Sequence, residues 1–379
     1  MRYPDDVPVL SDGSVTLRAL RLDDVPRVVE QCTDPASITW TTVPVPYDEA
    51  EARTWIGRVV PAGWVEGVDL TFAVEHEGAF AGSVSLRPRG GWEAEIGFGL
   101  HADARGRGVM RAGLDLLLDW AFADRGRRVV HWRANVGNWA SRRVVWSLGF
   151  TFGPTVPGLL DHRGTPTDGW TAWLGRDDPR RPGAPWHEVS TLEDGDLRLR
   201  AWRDADGAGL VETGRDPVLR RFLPGSPLPT LPEEVTGYLD RVRLGVVTGE
   251  RLAWCVADRE TDAVLGGVAL FDLEGPEQAG AAQVGFWSHP AGRGRGVTTR
   301  AVRALAGHAF RERPAGLGMR RLYLLTAATN TGAIRVAERA GFAHVGTERK
   351  GALVADGFVD NVVYDLLAGE SSGSWSSGR

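Results

Sequence analysis

The chain has 379 residues, 42% apolar and 25% charged, with 15 Trp; this is globular composition, which excludes disorder, collagen and coiled coil, and the length suggests two domains. Its 44 basic and 49 acidic residues leave a net charge of -5, so no bulk charge draws it to nucleic acid or anionic lipid. All the basic side chains are Arg except Lys350.

From the N-terminus, Val15–Leu20 alternates apolar and polar residues and reads as a strand. Residues 22–33 and 48–60 carry helical spacing. Thr71–Leu86 reads as a hairpin turning at Glu77-Gly78, and Glu93–Leu100 as another strand. After the run Arg105-Gly106-Arg107-Gly108, the residues Met110, Leu114, Leu117, Leu118 and Ala121 recur on one helical face, and the helix is predicted to stop near Arg125-Gly126. Val129–Ala134 follows as a strand, then a short helix over Ser141–Leu148 that Gly149 terminates.

The same order then repeats. Leu10–Arg21 (LSDGSVTLRALR) is answered by Leu192–Arg203 (LEDGDLRLRAWR), and Asp34-Pro35 by Asp216-Pro217, both at an offset of 182. Glu95–Met110 is answered by Gln283–Thr298 at 188, and Asn138–Phe150 by Asn330–Phe342 at 192. A period this long marks a duplicated domain rather than a solenoid. The expected organisation is a mixed α/β domain over residues 1–176, a linker over 177–188 that holds the aperiodic DDPRRPGAPW, a second domain over 189–370, and a flexible tail over 371–379. The two halves carry -3 and -2 and are electrostatically alike.

Two cysteines, Cys32 and Cys255, supply neither a disulfide framework nor a Cys-rich zinc site and are expected as small buried hydrophobes. No metal constellation is evident. The chain shows neither a signal-peptide pattern nor an 18-residue apolar run, which predicts a cytoplasmic protein that engages no membrane.

The sharpest chemical signal is strand, Arg-Gly-Arg-Gly, helix, present at Arg105–Gly108 and again at Arg293–Gly296. Glycines let backbone amides approach an anion closely. The helix start beyond them offers unpaired N–H groups and the positive end of its dipole. Arg side chains add charge-assisted bonds to phosphate oxygens. Together these predict two pyrophosphate cradles.

These residues resemble the GNAT superfamily of acetyl-CoA-dependent N-acetyltransferases, twice over, and in particular the branch that acetylates ribosomal-protein N-termini (RimJ/RimL-type). That family's acyl-CoA loop reads Arg/Gln-x-x-Gly-x-Gly/Ala. Arg105-Gly106-Arg107-Gly108-Val109-Met110 and Arg293-Gly294-Arg295-Gly296-Val297-Thr298 match until the last position, where Met110 and Thr298 replace a small residue and are expected to crowd or shift the pyrophosphate. Asn138 and Asn330, each followed by a short helix and Gly-Phe, fit the second signature.

The resemblance implies roles. Acetyl-CoA, or another acyl-CoA, would be the cosubstrate, with Asn138 and Asn330 near its pantetheine. Glu95 would take the proton of the acceptor ammonium, which must be removed before nitrogen can attack. A splayed strand end at Gly99-Leu100-His101 would bind pantetheine and stabilise the oxyanion. Ser141 would protonate the leaving thiolate. Trp40, Tyr47, Trp55 and Trp92 fall in segments where such folds admit the acceptor, a small-molecule or peptide amine. Gln283 and Ala333 stand where Glu95 and Ser141 do, which makes the first repeat the expected catalyst and the second a degenerate support.

Analogy extends this reading to natural-product biosynthesis or resistance, and to a pseudo-dimeric monomer or a homodimer. Two alternatives stand beside it. One is an aminoacyl-tRNA-dependent acyltransferase, using the arginines at 125–128 and 311–321 for tRNA. The other is a non-catalytic acyl-CoA-binding scaffold.

Overall fold

The computed structural model describes residues 2–273 and 280–370; the tail expected at 371–379 lies outside the described residues. The chain divides into two compact units, Met1–Gly183 and Ala184–Arg379, and the division falls inside the Pro-, Arg- and Asp-rich segment. Each unit is a mixed α/β sheet flanked by helices, as the duplication predicts.

Unit 1 contains β1 (Leu10–Ser11), β2 (Val15–Arg18), β3 (Leu70–His76), β4 (Ala79–Pro88), β5 (Glu93–Leu100), β6 (Val129–Asn135), β7 (Thr151–Phe152), β8 (Val156–His162) and β9 (Thr165–Gly175). They lie in the order β1-β2-β3-β4-β5-β6-β9-β7, with β8 paired to β9. Its helices are α1 (Val25–Thr33), α2 (Pro35–Trp40), α3 (Glu49–Thr54), α4 (Val60–Glu66), α5 (Val109–Ala123) and α6 (Trp139–Ser147). The β3–β4 turn has Glu77 at φ 53° and Gly78 at φ 76°, the left-handed pair that matches strand twist.

The predicted helix at 48–60 continues to Glu66 through a wide π turn at Trp55–Val59, where the Val60 N–H reaches back five residues to the Trp55 carbonyl. Pro61, with no N–H of its own, cannot restore the α pattern at that point. Burial of Leu114, Leu117, Leu118 and Ala121 seats α5 on the sheet. Phe72 meets Trp64 and Trp120 edge-on at 5.1 and 5.3 Å, contacts worth about 0.5–1.5 kcal/mol each beyond their buried area.

The segment expected as a linker begins folded onto unit 1. Arg180 pairs with Asp115 at 3.1 Å and Asp119 at 3.2 Å on α5 and lies over the Phe122 ring. Gly149, at φ 84° just past α6, is required twice over. A Cβ there would be strained by that φ and would lie 2.4 Å from the Pro179 carbonyl oxygen and 2.7 Å from that of Arg181.

Unit 2 repeats the plan with β10 (Leu192–Asp194), β11 (Leu197–Arg200), β12 (Leu252–Asp258), β13 (Val264–Phe271), β14 (Ala281–Ser288), β15 (Arg321–Ala327), β16 (Ala343–Val354) and β17 (Gly357–Leu367). Their order is β10-β11-β12-β13-β14-β15-β17-β16. Helices α7 (Gly207–Arg215), α8 (Pro217–Phe222), α9 (Val235–Thr248), α10 (Val297–Phe310) and α11 (Thr331–Ala340) complete it. A buried bidentate ion pair recurs at the end of the second strand: Arg18–Asp24 in unit 1 and Arg200–Asp206 in unit 2, each with both contacts at 2.8 Å. Lys350 sits in the β16–β17 hairpin, its Nζ donating to the Phe358 carbonyl at 3.1 Å.

Candidate active site

The decisive geometry is a splay between the parallel strands. β5 and β6 pair only at Glu93↔Val129, Ala94↔Val130 and Glu95↔His131. Both then run on without each other, to Leu100 and Asn135, which opens a V-shaped cleft roughly 16 Å deep at ~3.3 Å per residue. In unit 2, β14 and β15 pair only at Ala281↔Arg321, Ala282↔Leu322 and Gln283↔Tyr323, so the same cleft opens there.

The glycine-rich loop sits at the open end of β5. Gly106 and Gly108 have φ 73° and 78°, and a Cβ at either would meet nothing within 4 Å, so backbone conformation rather than crowding selects glycine. The first amide bond into α5 runs from the Ala112 N–H to the Gly108 carbonyl, at 3.1 Å. It leaves the N–H groups of Val109, Met110 and Arg111 without an intrahelical acceptor, as an anion cradle requires. Gly294 and Gly296, at φ 72° and 73°, repeat the loop ahead of Val297 and α10.

Two expectations about this loop need correction. Met110 and Thr298 do not crowd it: both are buried, and the helix turns them towards the sheet with Val109 and Val297. Nor do the arginines point free towards phosphate. Arg105 Nη2 bonds the Asp34 carboxylate at 2.6 Å and the Leu100 carbonyl at 3.2 Å, and Arg107 bonds Glu77 at 2.6 Å. Arg293 holds Asp216, and Arg295 donates to the Ala291 carbonyl at 3.4 Å. These ion pairs keep the carboxyls of Asp34 and Asp216 below the usual carboxylate range. The Asp-Pro repeat in the sequence was the trace of this pairing: Asp34 and Asp216 also cap α2 and α8 through Ser37 N–H and Leu219 N–H. What the loop leaves open is therefore backbone N–H groups.

Glu95 lies at the vertex of the cleft, 6% exposed. Its carboxylate is gripped by Arg89 Nη2 at 2.5 Å and by Arg133 Nε at 2.9 Å, with Arg87 Nη1 at 3.8 Å. Arg87 is on β4, Arg89 just past its end and Arg133 on β6, and the sequence reading missed them. His131, paired in register with Glu95, was missed as well; its Nε2 lies 3.7 Å from Glu93.

Asn138 caps α6, its Oδ1 accepting from the Ser141 N–H at 3.2 Å; Asn330 does the same for Ala333 at 3.1 Å. Ser141 Oγ accepts from Trp132 Nε1 at 3.0 Å, which leaves its own proton available to donate. Beside Ser141, Arg142 is buried against Phe152 and Trp170, with its guanidinium carbon 3.9 and 4.6 Å from the ring centroids, and burial pushes its pKa down to about 10.

Gly99 and Leu100 line the splayed end of β5, and a Cβ at Gly99 would meet Gln31 Nε2 at 2.9 Å. His101 is held between Glu30 at 2.9 Å and Asp103 at 2.8 Å, and His289 accepts from the Ala291 N–H at 3.2 Å, so both brace the turn before the cradle.

Of the aromatics, Trp40 ends α2, next to carbonyls of Ile38 and Thr41 that accept from Arg163 in the β8–β9 turn at 3.2 and 3.4 Å; the hairpin and the Trp40 segment thus meet. Tyr47 and Trp55 pack on the core, and burial pushes both the Tyr47 hydroxyl and the Cys32 thiol beside it up, the thiol to about 11. Trp92 lies at the Glu95 end of the cleft. It precedes β5, at the end away from the cradle, roughly 26 Å along the strand from Leu100 at ~3.3 Å per residue.

A family model described as an acetyltransferase (GNAT) domain matches the chain twice, over residues 14–151 and 196–343. The chain belongs to the GNAT family. Over 136 residues this GNAT chain is 29% identical to the probable N-acetyltransferase YjcK of Bacillus subtilis (strain 168), a match covering 36% of the chain and 70% of that relative. Among solved structures it is similar to RimL, a ribosomal L7/L12 alpha-N-protein acetyltransferase in complex with coenzyme A, at 19% identity and TM-score 0.42, over 48% of this chain and 100% of that one. It is likewise similar to a GCN5-related N-acetyltransferase from Brucella melitensis, at 23% identity and TM-score 0.42, over 49% and 82%. Among the described residues, no cluster of three or more His, Cys, Asp or Glu is placed to hold a metal ion, and no helix is long and apolar enough to cross a membrane.

Proposed function

We propose that unit 1 transfers an acyl group, most simply acetyl, from acyl-CoA to a primary amine of a small molecule or peptide. The observation that carries this reading is the coincidence, in one cleft, of a backbone anion cradle at the open end and Glu95 at the vertex.

The amine nitrogen attacks the thioester carbonyl carbon. Glu95 takes the proton that the ammonium must first lose, directly or through water. Backbone N–H groups on the unpaired edge of β5 stabilise the tetrahedral oxyanion. As the C–S bond breaks, Ser141 gives its hydroxyl proton to the departing thiolate and recovers one from the nitrogen, so the products are the amide and free CoA thiol.

Unit 2 keeps the cleft and the cradle, but Gln283 has no carboxylate and Ala333 no hydroxyl. We read it as a non-catalytic CoA-binding or supporting repeat. Turnover by Glu95→Ala and Gln283→Ala tests the division. Loss of a general base lowers kcat by about 10²–10⁴-fold, expected for the first variant, with the second near wild type. The reverse result makes unit 2 the catalyst.

A further inference from the structure

The reading of unit 1 as an acyltransferase leaves its three arginines unexplained. Alternation along β5 puts Glu93, Glu95, Gly97 and Gly99 on one face, and the parallel register puts His131 and Arg133 on that same face. There, one buried carboxylate meets three guanidinium groups. Arg87 spends its Nε on Asp69 at 3.0 Å, but among the described residues Arg89 and Arg133 touch no carboxylate other than Glu95. Asp69 takes part of Arg87, and Glu93 on the same face lies 3.7 Å from His131, so the guanidinium groups gather on Glu95 rather than on the face at large. Each guanidinium has five N–H donors, and Arg89 and Arg133 commit one or two of theirs. Their side chains are 43% and 29% exposed, so the remaining donors reach solvent.

The fold itself does not call for these charges. In unit 2, Phe271 pairs with Gln283 where Arg87 pairs with Glu95 in unit 1. Leu325 holds the place of Arg133, and Leu273, two residues beyond Phe271, that of Arg89. The same sheet closes with apolar groups, which satisfy a fold as well as or better than a charge cluster does. The arginines come and go with the carboxylate they hold, and in unit 1 the N–H groups of Arg89 and Arg133 not spent on Glu95 open onto the cleft.

We propose that unit 1 selects acceptors in which the amine is accompanied by a carboxylate, held by the outward N–H groups of Arg89 and Arg133. The inference rests on the acyl-transfer reading. A lone ammonium offers those N–H groups no acceptor. A carboxylate on the same molecule accepts the fork of N–H donors that guanidinium presents. The acceptor class is amino-acid-like: an amino acid, or a peptide whose first residues are acidic.

The test uses the full chain with saturating acetyl-CoA and follows thiol release. Acceptors are matched pairs, an amino acid against its amide, with a diamine of similar length. We expect kcat/KM to favour the acid over its amide by about tenfold or more, mostly through KM, and to disfavour the diamine. That preference should shrink with added salt. The acid-to-amide ratio should fall towards one in Arg89→Ala and recover in Arg89→Lys. Equal rates for acid and amide, or a preference for the diamine, overturn the assignment and leave acyl transfer standing. Absence of thiol release with every amine overturns acyl transfer itself, and the acceptor class with it.

Discussion

Gly149 and Gly341 offer a controlled comparison that duplication has already built. Both follow the short helix after the second Asn signature, at φ 84° and 96°. An Ala at either must adopt a left-handed conformation, costing about 1–2 kcal/mol. At Gly341 that is the whole cost, because the nearest atom to the added Cβ is Leu366 Cδ1 at 3.9 Å. At Gly149 the Cβ would stand 2.4 and 2.7 Å from two carbonyl oxygens of Pro179 and Arg181, so the 179–181 segment must move. Moving it loosens both Arg180 ion pairs and its cation–π contact, each worth about 0.5–1 kcal/mol. Gly149→Ala should therefore cost about 3 kcal/mol and Gly341→Ala about 1. Native-state hydrogen exchange at Val145 to Leu148 and at Ala337 to Ala340 reads each helix locally. The expected acceleration is about 150-fold in the first and about fivefold in the second. Equal acceleration in the two helices would refute the seating of the 179–181 segment on unit 1.

Other outcomes follow from single contacts. Asp34→Asn keeps a side-chain cap for α2 but frees Arg105, and should tighten CoA binding about threefold at low salt, measured by calorimetry. Arg142 is a buried cation with its pKa lowered to about 10, so the folded state sheds its proton before the unfolded state does; stability from this group should rise as pH climbs past about 10. Arg142→Met should leave the melting temperature unchanged or higher, and a large loss would mean that the stacking outweighs desolvation. With its thiol raised to about 11 and buried, Cys32 should ignore a disulfide reagent at pH 8 until urea unfolds unit 1, a release that absorbance follows directly.

Local signals carried most of the architecture. The hairpin turn, the α5 stripe and the glycine-rich loops are written in contiguous residues, and the duplication made each legible twice. Met110 shows how local evidence can be under-used. Its place in the apolar stripe already turned it inward, yet the motif comparison alone suggested crowding. Long-range pairing was hidden. Arg89, just past the end of β4, and Arg133, on β6, both reach Glu95, and no spacing rule links them. The seating of Arg180 on α5 was hidden as well, because an aperiodic Pro-rich stretch reads as a spacer whether or not it is docked.

Under the proposed acyl-CoA reading, the scarcity of lysine has a chemical consequence. Acyl-CoA slowly acylates exposed ε-amines without any catalyst, and a lysine-rich enzyme becomes its own substrate. Here the only ε-amine is Lys350, whose Nζ is engaged with the Phe358 carbonyl. Guanidinium groups, protonated at any working pH, carry the rest of the positive charge and are inert to the thioester. The chain can thus sit in concentrated acyl donor with almost no covalent background. Any acyl mass it gains as an amide resolves to one side chain or the α-amine, which makes intact-mass spectrometry a sensitive monitor of transfer to added amines.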